Sequence, residues 1–176
     1  TLQVLDVAAG LATDTTVRFA SLVHDVGKGL TPADQWPRHI GHEEAGARLI
    51  ERMCTRLKVP NEHRDLAVLV ARHHARVHRA AELRPGTVLE LLEATDAFRR
   101  PERFDRMLLA CEADARGRGP ERRAAPYPQA ALLRRLRTAA AAARPEPAEL
   151  AGQAGPVIAE RVRAARIEAI RNSRGD

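Results

Sequence analysis

An imidazole and a carboxylate stand side by side at His24 and Asp25, at the end of an apolar run and directly before Val26-Gly27-Lys28-Gly29. Such a doublet offers one borderline and one hard ligand to the same cation, and the glycines leave space beside it for a substrate. Taken alone, a His-Asp pair at a helix end is more often a cap and a surface charge. Further candidates follow along the chain: His39 and His42, then His73, His74 and His78, then Asp96. These arrive from successive elements, as a cation at the centre of a helical bundle requires, because each helix aims only one or two side chains inward.

Each position also has a plainer reading. His39 lies between Arg38 and Ile40 in a loop, where exposure or a substrate contact fits better than ligation. His42 opens a helix, so capping and ligation are evenly matched. His74 and His78 are spaced i, i+4 and share a face, which suits a metal but also arises by chance on an arginine-rich helix. His63 and His73 read as surface residues. Asp96 follows Leu91 and Leu92 by about a turn, which points it toward the core, where an unpaired carboxylate is costly.

The elements that position these groups are helices. Leu2, Val4, Leu5, Ala8 and Leu11 mark a first amphipathic helix; Asp14 or Thr15 caps a second, whose apolar positions Val17, Ala20, Leu22 and Val23 run into the doublet. Gly27 and Gly29 stop it. Residues 29 to 41 form an ordered loop carrying the one tryptophan. A third helix runs from His42 to about Lys58, and Pro60 and Asn61 supply a break and a fresh N-cap for a fourth, from Glu62 to His78. Pro85 starts a fifth that extends through Asp96, and Pro101 a sixth through Cys111. After an arginine-rich loop at residues 116 to 128, two last helices run from Gln129 to Ala143 and from Pro156 to about Asn172, joined around residues 144 to 155.

Composition agrees: 3% aromatic content leaves little for a sheet, so the expected class is all-α. The net charge is +6, and residues 99 to 144 hold 12 basic against 5 acidic side chains. Nearly every basic residue is arginine, which suits phosphate contact and equally suits a GC-rich genome. Cys54 and Cys111 are isolated and read as free thiols. With no apolar run of membrane-spanning length and no signal segment, a soluble cytoplasmic protein is expected. The chain lacks an initiator Met and opens directly in an amphipathic helix, so it is expected to be a piece of something longer.

The order His24-Asp25, His42, His74, Asp96 resembles the HD superfamily of metal-dependent phosphohydrolases. VRFASLVHDVGKGLTPADQWPRHIGHEEAG (residues 17 to 46) is similar to one branch, the C-terminal domain of bacterial CCA-adding tRNA nucleotidyltransferases. So are VPNEHRDLA (59 to 67), ATDAFRRPERF (94 to 104), EADARGR (112 to 118) and RAARIEAIR (163 to 171). The nucleotide-adding head of such enzymes, with its Gly-Ser and paired-Asp motif, has no counterpart here.

The resemblance implies an HD helical bundle with additional C-terminal helices: a core over residues 1 to 115, with residues 116 to 176 packed on the same domain. It implies 2′,3′-cyclic phosphodiesterase, 2′-nucleotidase and phosphatase activity supported by Ni²⁺ or Mg²⁺, acting on tRNA or on 2′,3′-cyclic and 2′-phosphorylated nucleotides; a homodimer is an allowed assembly. His24, Asp25, His42 and Asp96, with His74 as a further candidate, would hold the metal. Asp25 would serve as general base, and Lys28 and Arg38 would neutralise phosphate oxygens. The superfamily's first ligand, a histidine on the opening helix, is missing from residues 1 to 11; the family's spacing puts it just before Thr1, and its loss would weaken metal binding. The rival reading is a non-catalytic tRNA-binding body in which Arg99, Arg100, Arg116, Arg118, Arg122 and Arg123 contact phosphates. A third, an independent nucleotidase, fits the doublet but not the loop.

Overall fold

The computed structural model describes residues 1–146 and 151–174, and among these the regular secondary structure is entirely helical. In chain order the helices are α1 (Leu2–Leu11), α2 (Thr15–Val23), α3 (His42–Leu57), α4 (Asn61–His78), α5 (Pro85–Ala94), α6 (Pro101–Arg116), α7 (Pro128–Ala142) and α8 (Gly155–Asn172). Short 3-10 turns at Val26–Leu30, Ala33–Gln35 and Pro120–Arg122 fill the connections. Part of the connector expected around residues 144 to 155 lies outside the described residues.

The local signals act largely as their chemistry dictates. Asp14 caps α2, its carboxylate accepting from the Thr16 amide at 2.8 Å. Pro85 and Pro101 open α5 and α6 at positions whose amide has no intrahelical partner anyway. One expectation shifts: Pro60 occupies the N-cap of α4 and Asn61 is its first residue, so Asn61 does not cap. A second matters for the site. α5 stops at Ala94 instead of continuing through Asp96, which adopts a left-handed backbone with φ 55°.

α4 is the central helix, packed against α2, α3, α6 and α7. Val17, Ile50, Leu66, Leu92, Phe104, Met107, Leu133 and Ile170 belong to one buried cluster, so the helices after residue 116 share the core of those before it. A small satellite cluster of Val4, Val7, Ala8 and Ala113 seats α1 on α6. Among the described residues no helix is long and apolar enough to cross a membrane.

Two backbone approaches bring the site together. At Gly27 a Cβ would lie 2.0 Å from the His42 carbonyl oxygen and 2.6 Å from the Gly46 nitrogen, so the turn after the doublet touches the first turns of α3 through backbone alone. Gly117 does the same for α1, where a Cβ would meet the Val4 Cα at 2.5 Å. Gly27→Ala is therefore expected to push α3 away from the doublet and to lower stability by about 1–3 kcal/mol, the range for overpacking. Urea denaturation of the metal-free protein checks this: an unchanged midpoint would mean that the turn relaxes at no cost.

Candidate metal centre

His24 ends α2, Asp25 follows it, His42 opens α3, His74 lies on the last turn but one of α4, and Asp114 lies on the last turn of α6. These side chains converge. Asp25 presents Oδ1 at 3.6 Å from both His42 Nε2 and His74 Nε2, and Oδ2 at 3.4 Å from His24 Nε2. Asp114 Oδ1 lies 3.3 Å from His24 Nε2. The result is two overlapping triads, Asp25-His42-His74 and His24-Asp25-Asp114, each with its potential ligand atoms within 4.8 Å of one another.

The histidine tautomers follow from the hydrogen bonds. Nδ1 of His24 lies 2.8 Å from the Ser21 carbonyl, that of His42 2.8 Å from the His39 carbonyl, and that of His74 3.1 Å from the Val70 and Ala71 carbonyls. A carbonyl oxygen only accepts, so each Nδ1 must donate, and in the neutral ring the lone pair is left on Nε2, facing the cluster. The same backbone bonds lock ring orientation, as they do in metal sites. His24 Nε2, His42 Nε2 and Asp25 Oδ1 are buried without a hydrogen-bond partner. Buried orphans of this kind are costly, and three of them aimed at one point fit a cation.

The electrostatics make His24 an imidazolium in the metal-free protein, so a cation there would displace a proton from Nε2. Burial alone would lower the His24 pKa, but its bonds to Asp114 and Asp25 override that and raise it to about 9. Burial works against the Asp25 and Asp114 carboxylates too, yet His24 with Lys28, and His24 with His78 and Arg118, hold them well below the ordinary range. His74, pressed by burial and by the neighbouring His24, falls to about 4 and stays neutral. Two carboxylates therefore stay ionised in a buried site and draw positive charge into it.

Around this cluster sits a supporting shell. Asp114 Oδ2 accepts from Arg118 at 2.6 Å and lies 2.7 Å from His78 Nε2, and His78 Nδ1 lies 2.9 Å from the Tyr127 hydroxyl. Lys28 Nζ donates to Asp25 Oδ2 at 2.6 Å. Arg38 is exposed on the following loop.

Of the expected ligands, His24, Asp25, His42 and His74 are brought together and Asp96 is not. Past the end of α5, Asp96 turns outward and pairs with Arg99 at 2.6 Å and Arg100 at 3.5 Å. Its place is taken by Asp114, which continues the buried stripe Phe104, Met107, Cys111 of α6 by three residues. That stripe was the available signal: a carboxylate in register with core residues needs a cation or donors. Asp96→Asn is accordingly expected to leave metal affinity within about twofold of wild type, a null effect for a side chain with no contact to the cluster; equilibrium dialysis measures it.

The six arginines do not form one patch. Arg99 and Arg100 precede α6, whereas Arg116, Arg118, Arg122 and Arg123 gather at its far end, separated by about 24 Å of helix. Arg118 is committed to Asp114 and Arg116 to Glu112, while Arg122 and Arg123 are exposed.

Comparison with known proteins adds an independent line. The HD domain family model matches residues 1–119. The chain is 56% identical over 174 residues to the Multifunctional CCA protein of Nitrosococcus oceani, covering 98% of this chain and 42% of that protein. It is 51% identical over 177 residues to the Multifunctional CCA proteins of Polaromonas naphthalenivorans and Thioalkalivibrio sulfidiphilus, covering 98% and 100% of this chain but 41% and 43% of those proteins. The chain thus spans about two fifths of the length of these relatives, matching their C-terminal part. No solved structure matches.

Proposed function

This chain belongs to the HD domain family, and from that premise we propose that it is a metal-dependent phosphohydrolase acting on 2′,3′-cyclic and 2′-phosphorylated nucleotides, in the service of tRNA 3′-end maturation and repair. The observation that carries the reading is the set of three buried imidazoles whose Nδ1 atoms face backbone carbonyls, leaving Nε2 atoms aimed at the carboxylates of buried Asp114 and partly exposed Asp25.

His24, Asp25, His42, His74 and Asp114 would hold the cation. A divalent metal there supplies Lewis acidity, lowering the pKa of a coordinated water and drawing charge from phosphate oxygens. An imidazole-rich donor set favours Ni²⁺ over Mg²⁺. Asp25 would also take the proton from the attacking water, through the carboxylate oxygen that does not face the cation. Lys28, part exposed on the rim, would meet phosphate oxygens by exchanging its bond to Asp25 for one to substrate, and Arg38 on the loop would add a second positive charge. His78 and Arg118 keep Asp114 ionised and fixed.

The test is hydrolysis of 2′,3′-cyclic AMP by the purified chain with Ni²⁺, with Mg²⁺ and with chelator, beside a His24→Ala, Asp25→Ala double variant. Turnover that needs metal and is absent from the variant is expected. No turnover under any metal would end the hydrolase reading.

A second reading, a tRNA-binding body, is favoured by one observation: Arg116, Arg118 and Arg122 line a cleft with His78, Tyr127 and Gln129, and Arg122 is exposed there. Phosphate contacts by such residues would make tRNA affinity fall steeply with salt and depend little on sequence. The two readings are compatible, since the cleft adjoins the cluster through His78, which lines the one and contacts Asp114 of the other.

A further inference from the structure

The chemistry proposed above uses the buried ligands and the charged rim groups Lys28 and Arg38, and leaves the aromatic residue of the same rim without a role. His24, His74 and Asp114 are sealed. The Asp25 side chain is 24% exposed and that of Lys28 38%, so the centre opens on the side of the loop that follows the doublet. On this loop stands Trp36, the one tryptophan of the chain, with 62% of its surface in water. An indole is a large apolar face, and leaving it uncovered forgoes the free energy of its burial.

The ring is held in place. Trp36 Nε1 donates to the Thr31 carbonyl at 3.3 Å, and the Thr31 hydroxyl lies 2.6 Å from His39 Nδ1. From Trp36 a ring-to-ring step of 6.1 Å reaches His39, and another of 6.5 Å reaches His42, whose Nε2 faces the cluster. A fixed aromatic face therefore stands two ring contacts from the centre, through His39 and His42, on its open side and on the same segment as Lys28 and Arg38. A nucleotide joins a flat base to a phosphate through one sugar, so a single ligand carries both the group an indole stacks on and the group a cation meets.

We propose that Trp36 is the platform on which the base of the substrate stacks while its phosphate lies at the metal centre, so that the site prefers phosphoesters that carry a base. The phosphate's placement rests on the phosphohydrolase reading; the stacking can be observed without turnover. Because every base presents a π-face, the platform discriminates nucleotides from simple phosphoesters and discriminates weakly among bases.

As the lone tryptophan, Trp36 is its own reporter. Its emission is followed while the Mg²⁺-supplemented chain is titrated with adenosine 2′-monophosphate, with a short RNA ending in a 2′-phosphate, and with glycerol 2-phosphate. Saturable quenching by adenosine 2′-monophosphate and none by glycerol 2-phosphate is expected, and the RNA arm shows whether a chain end or only a free nucleotide is accepted. In kinetics, Trp36→Ala should narrow the preference, in kcat/KM, for adenosine 2′-monophosphate over glycerol 2-phosphate by roughly tenfold, and Trp36→Phe should restore most of it. Emission indifferent to both base-bearing ligands, or an alanine variant with unchanged preference, overturns the proposal. Quenching without turnover would keep the platform and remove the hydrolase, whereas turnover without quenching would do the reverse.

Discussion

Asp114→Asn is expected to lower divalent-metal affinity by at least about tenfold and kcat/KM by roughly 10²-fold, with the fold retained. The carboxylate faces His24 Nε2 through one oxygen and His78 and Arg118 through the other. An amide keeps the shape and one acceptor for Arg118, but it brings no charge to the cation and turns an N–H toward a group that needs an acceptor. Asp114→Ala goes further. It strips buried His24 of its nearer carboxylate and leaves Arg118 without its partner, at about 3 kcal/mol, the figure for breaking one side of a buried charged pair. Comparing the two variants by metal titration and by chemical denaturation separates the ligand role from the structural one. Equal metal affinity in Asp114→Asn and wild type would remove Asp114 from the centre.

Asp25→Ala is expected to have the larger effect on activity, on the order of 10³-fold or more in kcat/KM, equivalent to about 4 kcal/mol of transition-state stabilisation. Asp25 is the residue that both triads share, so its loss leaves neither complete. It also removes the proposed proton acceptor and releases Lys28 from its ion pair. Stability should suffer less. Asp25 and Asp114 are like charges on either side of His24, and removing one relieves their repulsion while the other still pairs the imidazole. Large loss of turnover with a small change in denaturation midpoint is thus the expected signature, measured with 2′,3′-cyclic AMP as substrate.

The helices were legible because their cues are local. Asp14, Pro85 and Pro101 mark starts whose chemistry does not depend on distant residues, and the apolar period along α3 and α6 names the faces that meet the core. The doublet, His42 and His74 could be picked out because histidine is scarce and clustered in sequence. The carboxylates were harder. Asp96 looked inward only on the assumption that α5 ran through it; once the helix stops at Ala94 and the backbone turns left-handed at Asp96, helical phase no longer says where the side chain points. Asp114 carries the same periodic argument on a helix that does continue, but it sits between Glu112 and an arginine-rich loop, where a charged residue passes for surface. What composition could not show was that Arg118 is spent on Asp114, or that α6 divides the six arginines into two groups.

The helix faces also explain why the cluster is buried without being inaccessible. Gly27 lets the turn after the doublet lie against the backbone of His42 and Gly46, which draws ligands from α2 and α3 together without a side chain between them. α4 and α6 close the back of the site with His74 and Asp114, and the loop with Lys28, Trp36 and Arg38 forms the front. Helices thus hold the candidate ligands, and the loop is where the proposed substrate would be met, a division that would suit a hydrolytic site.

The most direct test of the central claim is isothermal titration of Ni²⁺ into the metal-stripped chain and into His24→Ala, His74→Ala, Asp114→Asn and Asp96→Asn. Saturable binding by the wild type and by Asp96→Asn, weakened at least about tenfold in the other three, is the result expected of a cation held by this cluster. No binding by the wild type, or one affinity common to all five proteins, would contradict it.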